Sequence, residues 1–135
     1  MLNKEVADNT FDLLIAAGLN ETLSKFAAAQ SAHETSGFNS AILKSNNNLF
    51  GMKYAGQILA AGEKNGYANY NNHNDSVKDF VKWYTKHRNA IFSLPLIIYT
   101  LKDYVNFLKR NNYFEADEND YYNGCNYFYN LMFNE

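Results

Sequence analysis

The stretch AAAQSAHETSGFNSAILKSNNNLFGMK, residues 27–53, decides how this chain is read. Ala27, Ala28, Ala29 and Ala32 give one helix small side chains along much of its length. Neighbouring helices can then approach closely, so this helix belongs at the centre of the domain. Glu34 stands near its end, and Gly37 suits the left-handed backbone position that follows a helix. A short helix over about residues 40–45 is predicted next, broken by Asn46-Asn47-Asn48. One carboxylate therefore sits where a buried helix gives way to a segment rich in amides and aromatic rings.

Working outward, Val6, Phe11, Leu14, Ile15 and Leu19 recur at helical spacing and predict a first helix over about residues 4–18, with Gly18 as its stop. Asn20 offers an N-cap and Glu21 an acid in the first turn, so the central helix starts there and runs to about Thr35. From residue 49 to 70 the pattern changes. Gly51, Gly56, Gly62 and Gly66 punctuate short apolar pieces, which predicts a small antiparallel hairpin. Asn74 or Asp75 can cap a third long helix carrying Val77, Phe80, Val81 and Tyr84. Pro95 fits the first turn of another helix reaching about Lys109, and a last helix covers about residues 121–133. The expected fold class is α+β, mainly α: one domain over residues 1–135, with a small β-hairpin lobe set between its helices.

Composition narrows the function. At 135 residues and 47% apolar the chain can bury one real core. Its 11 Tyr and 10 Phe serve a core and a carbohydrate groove equally well. A net charge of -2 without a block of Lys or Arg speaks against a nucleic-acid surface. The single cysteine, Cys125, cannot form an internal disulfide and reads as a small buried hydrophobe. No stretch approaches the roughly 18 apolar residues of a membrane span. The N-terminal residues lack the charged-then-apolar layout of a signal peptide. The expectation is synthesis in the cytoplasm, with delivery to any extracellular substrate by other means.

Glu34 is the first candidate for chemistry. The negative end of the helix dipole and partial burial both raise a carboxyl pKa, which keeps it protonated as a general acid requires. A solvated or ion-paired glutamate closing the helix is the competing reading. Other motifs fail. His33-Glu34 lacks the second histidine of a zinc protease, since Gly37 stands at that position. His73 and Asp75 have no further ligands nearby in the sequence, and there is neither a phosphate loop nor a serine-nucleophile elbow. No metal and no cofactor is expected.

Residues 29–56, AQSAHETSGFNSAILKSNNNLFGMKYAG, resemble the core motif of the bacterial and phage endo-β-N-acetylglucosaminidases of glycoside hydrolase family 73. Ala29-Gln30, Glu34, Gly37, Ser40, Asn47-Asn48-Leu49-Phe50-Gly51 and Lys53 match that motif in order. Tyr67-Ala68-Asn69-Tyr70, with the following stretch from Asp75 to Val81, is similar to the family's aromatic strand and next helix. Tyr113 and Tyr121 or Tyr122 resemble its late tyrosine-rich element, the weaker part of a likeness that covers nearly the whole chain.

The resemblance implies a lysozyme-like domain with a groove between helices and hairpin, and peptidoglycan, the polymer of N-acetylglucosamine and N-acetylmuramic acid, as substrate. Glu34 would protonate the leaving oxygen of a β-1,4 bond. A second carboxylate in the lobe, or the substrate's own acetamido group, would then meet the positive charge. Over residues 54–66 the lobe is short and Glu63 is its sole acid. Glu63 is named as the second acid against the alternative of an exposed turn residue; without it, a single-acid lytic transglycosylase becomes the competing chemistry. Tyr67 and Tyr70 are expected to split between groove and core, because strand neighbours three apart face opposite sides, with Tyr70 assigned to the groove. Asn48 either binds an acetamido group or holds its turn, Ser36 either orients Glu34 or caps the helix, and Tyr113 is expected to contact substrate. The leading expectation is an endo-β-N-acetylglucosaminidase used in phage-type wall lysis or penetration, virion-associated or released through a lysis pore. A muramidase or transglycosylase on the same scaffold, and a non-catalytic glycan-binding virion module, are the alternatives.

Overall fold

A side chain caps the start of every described helix. The structure, a computed structural model, describes residues 1–90 and 97–134. Asn3 opens α1 (Lys4–Ala16), Asn20 opens α2 (Glu21–Glu34) and Ser40 opens α3 (Ala41–Asn46). Asn72 opens α4 (His73–Arg88), Thr100 opens α5 (Leu101–Arg110) and Asp117 opens α6 (Glu118–Phe133). Each accepts a backbone N–H of the first turn, a contribution of about 1 kcal/mol per cap. Between α3 and α4 lie β1 (Gly62–Lys64) and β2 (Tyr67–Asn69), paired antiparallel with Glu63 opposite Ala68. Their two-residue turn is Asn65-Gly66, both at positive φ (58° and 83°), as a hairpin of this hand requires.

The expected class, mainly helical with a small hairpin, is the one observed. Three boundaries moved for local reasons. Asn72 caps α4 in place of Asn74 or Asp75, because its side chain reaches the N–H of Asp75 at 2.8 Å. In α6 the Asp117 cap starts the helix ahead of Tyr121. Pro95 lies outside the described residues; the helix after it begins at Leu101, where Thr100 and Asp103 form a reciprocal capping box.

α2 is the axis of the domain. From Ser24 to Ala32 only Lys25 escapes burial, and α2 packs against both α1 and α6. The alanines explain that intimacy: Ala27, Ala28, Ala29 and Ala32 are each fully buried. A second layer of rings fills the space under α4 and α5, with Phe50 stacked on Phe80 at 4.2 Å and Tyr84 tilted against Phe107 at 5.3 Å.

The asparagine run does more than end α3. Asn47 takes the left-handed cap position at φ 52°. The Asn46 amide donates to the carbonyl of Lys64 (2.9 Å), that of Asn47 to Tyr70 (3.0 Å) and that of Asn48 to Ala68 (2.9 Å). Three consecutive amides thus fasten the hairpin to the helical body. Leu49 is tied in as well, accepting from Ser31 of α2 through its carbonyl and donating its N–H to Ser76 of α4.

Candidate active site

Glu34 closes α2 with its carboxyl turned into a cleft of about 880 Å³. The helix ends at Thr35, whose hydroxyl donates to the Ser31 carbonyl at 2.7 Å and accepts the N–H of Phe38 at 3.0 Å. The N–H of Gly37 returns to the Ala32 carbonyl at 2.8 Å, which fixes the direction in which the chain leaves. Gly51 comes so close that a Cβ there would lie 3.0 Å from Oε1 of Glu34, and its φ of 66° also favours glycine.

The other carboxyl oxygen, Oε2, accepts a 2.6 Å hydrogen bond from the hydroxyl of Tyr121 on α6. Burial pushes the Glu34 pKa above the usual carboxylate range, and the Tyr121 hydrogen bond partly opposes that rise. Tyr121 is itself held rigidly: Phe114 stacks on its ring at 3.7 Å and His33 meets it edge-on at 4.7 Å. Its own pKa is far above the usual phenol value, through burial and then the neighbouring Glu34 charge, so it acts as a fixed donor. Burial also lowers the pKa of His33.

Around Glu34 the cleft is lined by hairpin-side residues Lys53, Gln57 and Tyr67 and by Trp83 and Tyr113 on the helical side. Tyr113 donates to the carbonyl of Phe50 at 2.6 Å and stands edge-on to Trp83 at 4.7 Å. Tyr113 thus lines the cleft with its hydroxyl engaged by backbone. Burial, then the Glu34 charge, raises its pKa well above the usual phenol value.

Several expected site residues take other positions. Glu63, on β1, is exposed to solvent and does not line the cleft. Tyr70 does not face the groove: it is 2% exposed and donates its hydroxyl to Asp79, so the tyrosine on the cleft side is Tyr67. The two tyrosines do split between cleft and core; Ala68 faces inward, and Tyr70, two residues on, shares its side. Ser36 is exposed at φ 53° and lies outside the cleft lining. Asn48 reaches the cleft, but its amide is spent on Met52 and Ala68 and its oxygen on the N–H groups of Phe50 and Met52.

Two cleft carboxylates were not singled out from sequence, Asp79 and Glu115. Asp79 is 4% exposed, and its position three residues after Ser76 and four before Trp83 put it on the buried face of α4. That spacing was the available signal. Among the described residues no group of three or more His, Cys, Asp or Glu is placed to hold a metal ion, and no helix is long and apolar enough to cross a membrane.

A protonatable carboxyl held by a rigid phenol, in a cleft with amide, lysine and aromatic walls, is equipped to donate a proton to a glycosidic oxygen. Searches of curated proteins and of solved structures gave no match. Residues 13–132 match the family model named Glucosaminidase and described as mannosyl-glycoprotein endo-beta-N-acetylglucosaminidase, and with nearly the whole chain covered, the protein belongs to the glucosaminidase family.

Proposed function

We propose that this protein is an endo-β-N-acetylglucosaminidase that cleaves the glycan strand of peptidoglycan, with Glu34 as its general acid. The observation that carries the reading is the Glu34 carboxyl itself, raised in pKa by burial and held by Tyr121 at the wall of the cleft. Glu34 donates its proton to the leaving O4 as the C1–O4 bond breaks. The carbonyl oxygen of the substrate's 2-acetamido group closes on C1 and takes up the positive charge. Water then opens that ring, and the Glu34 carboxylate accepts the water's proton.

The position of Glu63 outside the cleft favours the acetamido route over a second carboxylate from the hairpin. Of the other cleft acids, Asp79 is engaged by Tyr70 and Glu115 is exposed. Mass spectrometry of muropeptides released from purified peptidoglycan tests the reading. Reducing-end N-acetylglucosamine supports it. Reducing-end muramic acid would make the protein a muramidase, and anhydro-muramyl ends a lytic transglycosylase. Binding without any product would make it a glycan-binding module. The use in phage-type lysis or penetration belongs to the same proposal, tested by adding the purified chain to intact cells from outside.

A further inference from the structure

The wall that α4 gives to the cleft is formed by Asp79, Lys82, Trp83 and Lys86. Their spacing of i, i+3, i+4 and i+7 places them on one helix face. Asp79 is buried at one end of this stripe, while Lys82 and Lys86 are exposed along it. Lys53 lines the same cleft and lies 5.4 Å from the ring centre of Tyr67. Among the described residues the ion pairs are Lys4–Asp8 and Lys25–Glu21, both away from the cleft. Among the described residues none of the three cleft lysines is in an ion pair.

The cleft holds three lysines and three acids, but Asp79 is buried against the Tyr70 hydroxyl and Glu34 is held by Tyr121, so the exposed charge along the α4 wall is that of Lys82 and Lys86. Two neighbouring exposed lysines on one wall of a cleft attract anionic groups that pass along that wall. A plain amino-sugar polymer offers nothing to answer that charge. Peptidoglycan does, because its muramic acid carries a lactyl-linked peptide with free carboxylates. Those carboxylates arrive at a fixed offset from the scissile bond, whereas phosphate polymers are attached to the wall only at scattered points.

We propose that Lys82 and Lys86, with Lys53, form an anion subsite for the stem-peptide carboxylates, so that this cleft selects stem-bearing glycan over stripped glycan. The inference rests on the peptidoglycan reading above and adds to it which form of the polymer is preferred. Trp83, held edge-on against Tyr113 and stacked on His87 at 4.2 Å, fixes the helix face from which the two lysines project. Lysine supplies mobile point charges, which suits a flexible peptide better than a rigid fork would.

The test is binding by the Glu34→Gln full chain, which leaves the polymer intact, to phosphate-extracted sacculi before and after an amidase removes the stems. At low salt the stem-bearing sacculi are expected to bind about five-fold tighter, the scale of two exposed charge pairs. Adding Lys82→Gln and Lys86→Gln is expected to collapse that preference, as is 0.5 M salt at roughly a 4 Å screening length. Circular dichroism checks that the exposed substitutions leave the fold intact. Equal binding to both sacculi by the parent overturns the proposal, as does a lysine effect that persists on stripped glycan. A preference seen only before phosphate extraction overturns it in favour of wall phosphate. Failure to bind either polymer overturns it too, and muropeptide release by the wild-type chain then shows separately whether the peptidoglycan reading survives.

Discussion

The hydroxyl of Tyr121 lies 2.6 Å from Oε2 of Glu34, so the last helix of the chain holds the acid that ends the second. The two residues are 87 positions apart, and the contact exists only because the alanine face of α2 lets α6 pack directly against it. Position and acidity of Glu34 are therefore set by the same packing. A phenol hydrogen bond favours the ionised carboxylate and opposes the rise that burial causes.

Tyr121→Phe removes that bond and keeps the ring between Phe114 and His33. The Glu34 pKa is expected to rise further, because the interaction lowering it is lost while burial remains. Since the acid must be protonated, the alkaline limb of the pH–kcat/KM profile should move to higher pH. Loss of activity at every pH with the limb unmoved would mean that Tyr121 contacts substrate and leaves the acidity of Glu34 alone.

Glu34→Gln should reduce wall lysis by about 10²- to 10⁴-fold, the usual contribution of a positioned acid. Stability gives an independent reading. The folded pKa of Glu34 lies above that of an unfolded glutamate. Between those two values the folded state binds more protons, so this group lowers stability as pH rises through the window. The variant cannot titrate there. Urea titrations at several pH values should show wild type losing stability relative to Glu34→Gln as pH increases from the ordinary glutamate range, the reverse of the usual behaviour of a salt-bridged acid.

Gly51→Ala tests how tightly the site is built. The new methyl would sit 3.0 Å from Oε1 of Glu34 at a φ of 66°. Backbone conformation alone costs about 1–2 kcal/mol at such a position, and the carboxyl must also shift. The expected outcome is a lowered melting temperature together with a fall in kcat larger than the change in KM. An unchanged kcat would show that the carboxyl tolerates displacement.

Much of this was legible in the sequence, and the limits have identifiable causes. The helices could be read because their caps and apolar spacings are local: Asn20 is the cap both expected and found, and the alanines do bury α2. Glu34 was legible because a motif of contiguous residues surrounds it. Tyr121 was seen as part of a tyrosine-rich element, but its bond to Glu34 depends on a helix–helix contact that no spacing reveals. The orientation of Tyr67 and Tyr70 turned on which side of a three-residue strand is buried, and so short an alternation carries no direction of its own. Glu63 is the sole acid of the lobe, but sequence alone does not say whether its side chain reaches the cleft, and in the structure it is exposed outside the lining.

The placement of Glu63 makes an opposing pair of predictions. Glu63→Gln changes an exposed side chain outside the cleft lining and should leave kcat within about two-fold, as a surface substitution remote from chemistry does. Asp79→Asn changes a buried carboxylate that accepts the Tyr70 hydroxyl, and should lower stability by about 1–3 kcal/mol. A loss of more than 100-fold for Glu63→Gln with the fold intact would instead place the hairpin over the substrate during turnover and restore a two-carboxylate mechanism.

Asn48 separates binding from architecture. Its amide donates to the carbonyls of Met52 and Ala68, both at 2.9 Å, and its oxygen accepts the N–H of Met52 at 3.1 Å. These bonds tie the segment bearing Gly51 to β2, and so hold one wall of the cleft against Glu34. Asn48→Ala would strand the N–H groups of Phe50 and Met52, at about 1–3 kcal/mol for each left without water, while the Met52 and Ala68 carbonyls keep the Ala68 N–H and the Asn46 amide. The expected result is a loss of about 3 kcal/mol in urea unfolding, with kcat falling because Gly51 and Glu34 lose register. If Asn48 acted chiefly as a ligand for the substrate's acetamido group, KM would rise while the unfolding midpoint stayed in place. The joint measurement of midpoint, kcat and KM decides between the two, and the saturated hydrogen bonding of the side chain predicts the first.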